Sequence, residues 1–146
     1  MSEIANKLSV LLADSYALYL KTQNYHWHVK GPYFKTLHEL FEVQYLELAQ
    51  AVDDIAERLL ILGHHAPATF KAFEQLKTIK DGDSNLTANQ MVSELANDHN
   101  ALVKDMNQSM VIAQKCNDEG TVNLLANLIS THEKARWMLN ASRDNA

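Results

Sequence analysis

A chain of 146 residues that is 47% hydrophobic and 21% charged has the composition of one soluble globular domain, residues 1–146, and not of a disordered or fibrous protein. Its 13 Lys and Arg against 18 Asp and Glu leave a formal charge of -5, which argues against a surface built to wrap polyanions. The lone Cys116 excludes an intrachain disulfide framework, and there is neither a secretory-signal pattern nor an apolar run near the roughly 20 residues that cross a bilayer, so a reducing cytoplasm is expected.

Only four Gly and two Pro interrupt the chain, and apolar residues recur at steps of three and four, so an all-α fold is expected. The first predicted helix runs from about Ser2 to Val29, with a stripe through Ile4, Leu8, Leu11, Ser15, Leu18 and Thr22, and ends at Gly31-Pro32. The second runs from about Phe34 to Leu62 on Leu37, Phe41, Tyr45, Leu48, Val52, Ile55 and Leu59, with Gly63 as its stop. From Gly63 to Leu86 the pattern lapses, apart from a short helical segment at "ATFKAFEQL". Thr87 and Gln90 have the spacing of a capping box for a third long helix to about Asn117. "NDEG" breaks it, and a last helix runs from about Thr121 to Ala141. Two short joints and one long connection make two helical hairpins linked by a crossover, the ferritin-like arrangement of a four-helix bundle.

Chemistry concentrates in "NYHWHVKGPYFKTLHELFEVQYLELAQAVDDIAERLLILG". Asp53 and Glu57 lie four apart on one helical face and repel unless a cation sits between them; the plainer reading is a solvated acidic face with Asp54 and Arg58 as an ordinary i,i+4 ion pair. His38 and Glu42 make a second four-spaced pair, a partial ligand set for iron or zinc. His26 lies twelve residues before His38 across the Gly31-Pro32 bend, so the two imidazoles can converge, although for any one histidine a hydrogen-bonded structural role is the default. His28 points about 160° away from His26 on an ideal helix and cannot serve the same ion.

His38 and Asp53 are fifteen residues apart, about 22 Å along a straight helix, so they cannot share an ion within one chain. If two copies of the second helix pack antiparallel about a twofold axis near Leu46 and Glu47, His38 of one comes beside Asp53 and Glu57 of the other, and the symmetry yields two identical sites. The alternative, a di-iron centre inside one bundle, uses Glu-x-x-His, and none of the seven histidines has Glu three residues before it.

"NYHWHVKGPYFKTLHELFE" followed by "VDDIAERLLILG" resembles the signature of the Dps family, the mini-ferritins that protect DNA in starved bacterial cells, and the resemblance spans essentially the whole chain. It implies a shell of twelve subunits with ferroxidase sites at twofold interfaces: His26 and His38 from one subunit, Asp53 and Glu57 from the other, with Glu42 and Trp27 near a second metal position. The implied reaction takes Fe(II) to Fe(III), preferably with hydrogen peroxide, otherwise with dioxygen, and stores a ferric oxyhydroxide mineral. Trp27 would pack at the interface or intercept a stray oxidising equivalent.

The resemblance implies that DNA binding, where it occurs in the family, often depends on a Lys- and Arg-rich tail, whereas this chain begins "MSEIANKLS" and ends "NASRDNA". Direct DNA binding is therefore expected to be weak, since counterion release needs clustered cations. Two other readings compete with the iron-storing shell: a non-specific DNA-compacting protein of stationary phase with little ferroxidase activity, and a bundle with neither role. The family's acid-lined entry pores lie near the start of the last helix, where this sequence offers Asp118 and Glu119, then Asn123 and Asn127. His64, His65, His99 and His132 are left outside the site: the first two as loop polarity, His132 as a buried polar residue near Glu133 and Trp137.

Overall fold

Hydrophobic steps of three and four become five helices in the computed structural model, which describes residues 2–143: α1 (Glu3–His28), α2 (Phe34–Ile61), α3 (Phe70–Leu76), α4 (Ala88–Lys115) and α5 (Glu119–Ala141). Among the described residues there is no strand. The helix ends differ from the sequence expectation by at most two residues, and at three of them the reason is capping. Ser2 is the N-cap of α1, its Oγ accepting from the Ala5 amide at 3.2 Å. Asp118 caps α5 by accepting from the Thr121 amide at 3.1 Å, so the helix begins at Glu119, two residues earlier than expected. At the end of α4, Asn117 takes φ +54 and cannot extend the helix. The Thr87–Gln90 capping box forms as expected, with Thr87 Oγ1 accepting from the Gln90 amide at 3.2 Å and Gln90 Oε1 from the Thr87 amide at 2.9 Å.

Helix α1 packs along α2 and α4 along α5, and α1 against α4 joins the two hairpins; α2 and α5 meet only lightly. Leu8, Leu18, Tyr25, Phe41, Ile55, Leu59, Leu95, Met106 and Leu125 are fully enclosed at this junction. Each large side chain of this kind contributes about 1.5–3 kcal/mol by leaving water. On α2 the buried residues are Leu37, Phe41, Gln44, Leu48, Ala51, Ile55 and Leu59, which turns Val43 and Leu46 outward, both more than half exposed.

The crossover from α2 to α4 is held by buried polar groups on α1. Asp14, fully buried, accepts from the Thr78 amide at 2.6 Å, the Thr78 hydroxyl at 2.7 Å and the Ile79 amide at 3.0 Å. The Tyr25 hydroxyl accepts from the Asp83 amide at 3.1 Å and donates to Glu94 at 2.9 Å; burial, then the neighbouring Glu94 and Asp98, push its pKa well up. Lys21, also buried, stands 3.0 Å from Glu94 and 2.9 Å from Asp98. These contacts anchor the second half of the crossover, ahead of α4, to α1, while α2, packed along α1, is the helix that carries most of the candidate site.

Candidate metal centre

The bend between α1 and α2 brings two imidazoles face to face. Gly31 takes φ +118, a backbone conformation closed to ordinary L residues, and this lets the chain reverse within five residues of the end of α1. The His26 and His38 rings then stack with centroids 3.7 Å apart and planes 12° from parallel. Their hydrogen bonds are reciprocal: His26 Nδ1 lies 2.7 Å from the His38 carbonyl oxygen, and His38 Nδ1 lies 2.7 Å from the His26 carbonyl oxygen. A carbonyl oxygen only accepts, so each Nδ1 must carry the hydrogen, and in the neutral rings both Nε2 atoms are left as bare lone pairs. That is the tautomer a metal-ligating histidine needs, locked by partners on its other nitrogen.

Glu42, one turn along α2 from His38, places Oε1 3.8 Å from His26 Nε2. This gap is too wide for a hydrogen bond but suits one ion between them, since two donors each about 2.1 Å from a metal stand up to about 4.2 Å apart. Tyr45 packs edge-on to His26 at 5.3 Å and Phe34 lies over His38 at 5.0 Å, so aromatic contacts hold both rings in place. Trp27 projects away, more than half exposed. His28 Nδ1 lies 2.8 Å from the Asn24 backbone and side-chain oxygens, apart from this cluster as its helical angle requires.

The carboxylate half lies at the other end of α2. Asp53, Asp54 and Glu57 each bring one oxygen within 4.8 Å of the others. The expected Asp54–Arg58 ion pair does not form. Arg58 instead reaches across to the α4–α5 turn, with Nη2 2.7 Å from Asp118 Oδ1 and Nε 3.0 Å from Thr121 Oγ1, while Asp54 accepts from Gln50 at 2.9 Å. Among the described residues neither Asp53 nor Glu57 forms an ion pair, so their repulsion has no internal compensation. His38, Glu42, Asp53 and Glu57 sit on one unbroken helix, with His26 brought to its start by α1, and the separation of about 22 Å between His38 and Asp53 stands. The structure thus brings His26, His38 and Glu42 together and Asp53 with Glu57, but does not bring the two sets to each other within one chain.

The Arg58 contact also bears on the acids at the start of α5. Burial alone would raise the Asp118 carboxyl, but hydrogen bonds from Thr121 and Arg58 outweigh it and hold the group below the usual carboxylate range. Asp118 is therefore occupied as a cap and ion-pair partner, and Glu119 is the free acid there. His132 is buried as expected, but its partner is His99 on α4, with the two Nδ1 atoms 2.8 Å apart, and not Glu133 or Trp137. His99 and His132 are 33 residues apart on different helices, beyond the reach of any spacing rule. His64 approaches Ser2 Oγ at 3.4 Å and His65 is exposed, in keeping with loop polarity.

Comparison with known proteins identifies the family to which this fold belongs. A family model of the ferritin-like domain matches residues 5–145. The chain is 38% identical over 139 residues to "DNA protection during starvation protein 2" of Bacillus anthracis, covering 95% of each protein. Among solved structures it superposes on Dps from Thermosynechococcus elongatus with TM-score 0.95 at 32% identity, covering 99% of this chain and 92% of that one. It also matches the Dps protein of Vibrio cholerae O1, described as a member of a broad superfamily of ferritin-like diiron-carboxylate proteins, with TM-score 0.92, 32% identity and coverage of 95% and 87%. The chain belongs to the Dps family of ferritin-like proteins.

Proposed function

We propose that this protein, acting as one domain over residues 1–146, is a ferroxidase: it oxidises Fe(II) at sites shared between two copies of the chain and stores the ferric product inside a shell of twelve. The observation that carries this reading is the division of one chemically coherent donor set between the two ends of α2. His26, His38 and Glu42 form a preorganised nitrogen and oxygen half, and Asp53 and Glu57 an uncompensated carboxylate half. Two copies of α2 packed antiparallel about Leu46 and Glu47 would join each half to its complement, and the outward-facing Val43 and Leu46 supply apolar surface for that contact.

Imidazole nitrogen suits the ferrous substrate and carboxylate oxygen the ferric product, so the joined site would bind one oxidation state and release the other toward mineral. With hydrogen peroxide as oxidant, two Fe(II) give up one electron each, the O–O bond breaks, and two protons complete two waters. No hydroxyl radical is needed in that balance, and dioxygen is the alternative oxidant. DNA would be protected chemically, by removal of iron and peroxide, because a formal charge of -5 disfavours direct binding to a polyanion. Among the described residues no helix is long and apolar enough to cross a membrane, and a place in the bacterial cytoplasm is part of this proposal.

The test is ferric absorbance after anaerobic Fe(II) loading and stoichiometric peroxide, with Asp53→Ala beside the unmodified protein. Fast oxidation by the unmodified protein alone supports a shared site; equal traces from both overturn it.

A further inference from the structure

The bundle contains a second cluster of donor atoms that the shared site leaves unused. Where α2 and α5 meet only lightly, a cavity of about 250 Å³ opens between them. Its floor is buried and polar, with Gln44 from α2, His99 from α4 and His132 from α5 each no more than 3% exposed; Glu47 and Asp54 stand at the rim.

The hydrogen-bond inventory of the floor does not close. The Gln44 amide is oriented by donation from Nε2 to the Ala135 carbonyl at 3.3 Å, which leaves Oε1 buried without a partner. His99 Nε2 is likewise buried and unpartnered. The two Nδ1 atoms of His99 and His132, 2.8 Å apart, can share only one hydrogen, so one ring donates and the other accepts. When His99 is the donor, its Nε2 is a bare lone pair. Buried polar atoms in folded proteins are nearly always satisfied, yet two in the wall of this one cavity are not, and both are then acceptors. In that tautomer, acceptors below and carboxylates above suit a positively charged occupant.

We propose that this cavity is a second metal site, contained within one subunit. It takes one divalent first-row transition-metal ion, with His99 Nε2 and Gln44 Oε1 as floor ligands and Glu47 as the rim carboxylate. One imidazole nitrogen with one neutral and one anionic oxygen is a donor set of the borderline kind such ions favour. His132 acts through His99: by accepting on Nδ1 it fixes the tautomer that frees Nε2, the usual task of the outer partner of a ligating histidine. Burial pushes both imidazoles down, His132 to about 4 and His99 well below its ordinary value, with His132 and Arg136 adding to the effect on His99, which favours the unprotonated form a ligand needs. This donor set is neither the one divided between chains nor the Glu-x-x-His set of an internal di-iron centre. Its existence does not depend on the proposed ferroxidase, although Fe(II) is the ion that activity would supply.

The experiment uses the assembled protein with His38→Ala and Asp53→Ala, which disable the shared site, titrated anaerobically with Co(II) and read by equilibrium stoichiometry and visible d–d absorption. The expected result is one Co(II) retained per chain, with affinity falling at least tenfold when His99→Leu or Gln44→Met is added and the oligomer is unchanged by light scattering. No retained ion, or retention indifferent to both additions, overturns the proposal. A zinc-soaked crystal of the unmodified protein decides without any variant: an anomalous peak in bonding range of His99 Nε2 supports the site, and water alone there overturns it. Failure of the ferroxidase reading would appear separately, as unchanged oxidation kinetics in Asp53→Ala alone.

Discussion

Removing Asp118 should weaken the fold and, at a distance, the binding of Fe(II). Its carboxylate caps α5 through the Thr121 amide and pairs with Arg58 at 2.7 Å, with side-chain exposures of only 15% and 21% for the two partners. Losing an Asp N-cap costs about 1 kcal/mol, and losing charge-assisted bonds in a mostly enclosed pair costs about 1.5–3 kcal/mol, so Asp118→Ala should destabilise by about 2–4 kcal/mol. Asp118→Asn keeps the cap and should cost about half as much. The sign of the pH dependence follows from the lowered Asp118 pKa: the unfolded carboxyl takes up its proton first as pH falls, so the stabilisation is full above about pH 4 and is lost as pH drops through the folded value. The penalty of Asp118→Asn should therefore be present at pH 7 and vanish in acid. The freed Arg58 can turn back toward Asp54, four residues away, and compete with a cation for the acids beside Glu57, so the KM for Fe(II) should rise several-fold with kcat less affected. Guanidinium unfolding followed by circular dichroism at fixed protein concentration, together with initial oxidation rates, measures both effects. An unchanged unfolding midpoint at pH 7 with an unchanged Fe(II) dependence would refute the claim that this contact holds Arg58 away from the acids.

Gly31→Ala puts a Cβ on a residue at φ +118 and should cost on the order of 1–3 kcal/mol; if the bend shifts to relieve it, the His26–His38 stack opens and oxidation slows while helix content by circular dichroism stays the same. Asp14→Ala strips three hydrogen bonds from the crossover, leaves the Thr78 and Ile79 amides without their acceptor and should cost about 2–4 kcal/mol, seen as faster hydrogen exchange at residues 77–80 than in the rest of the chain. Refolding His38→Ala and Asp53→Ala chains together should restore activity that neither has alone: half the randomly formed pairs are mixed and each mixed pair holds one intact site of its two, so about a quarter of the unmodified rate is expected. A mixture as inactive as its components would mean that all the ligands come from one chain.

The helices and the crossover were legible because amphipathic period and glycine placement are local properties, and α3 was visible in "ATFKAFEQL" for the same reason. The meeting of His26 with His38 was legible too, since a short bend at Gly31-Pro32 leaves little choice about what lies opposite. Their exchange of bonds with each other's carbonyl was not, because it depends on how two helix ends sit in space. Arg58 shows the limit most clearly: the i,i+4 rule offered Asp54, but a partner 60 residues away won because it brought a helix cap and the Thr121 hydroxyl with it. An exposed ion pair in a high dielectric is worth little, so tertiary geometry readily outbids local spacing. His99 and His132 follow the same logic, each needing a partner in the core and finding the other.

Under the proposed function, dividing the ligands between the two ends of α2 also controls where iron is oxidised. A subunit outside the assembly presents two imidazoles with a glutamate in one place and a pair of exposed acids in another, and neither half alone offers the donor set of the joined site. The surface that must be covered to join the halves is the one where Val43 and Leu46 face outward, so burying those apolar side chains and completing the ligand set are a single event. Oxidation then begins only once subunits have paired, and in a closed shell the ferric product has a compartment to enter. A bundle holding all of its ligands internally would lack that restraint, because a free subunit could oxidise iron and release Fe(III) with nowhere to store it.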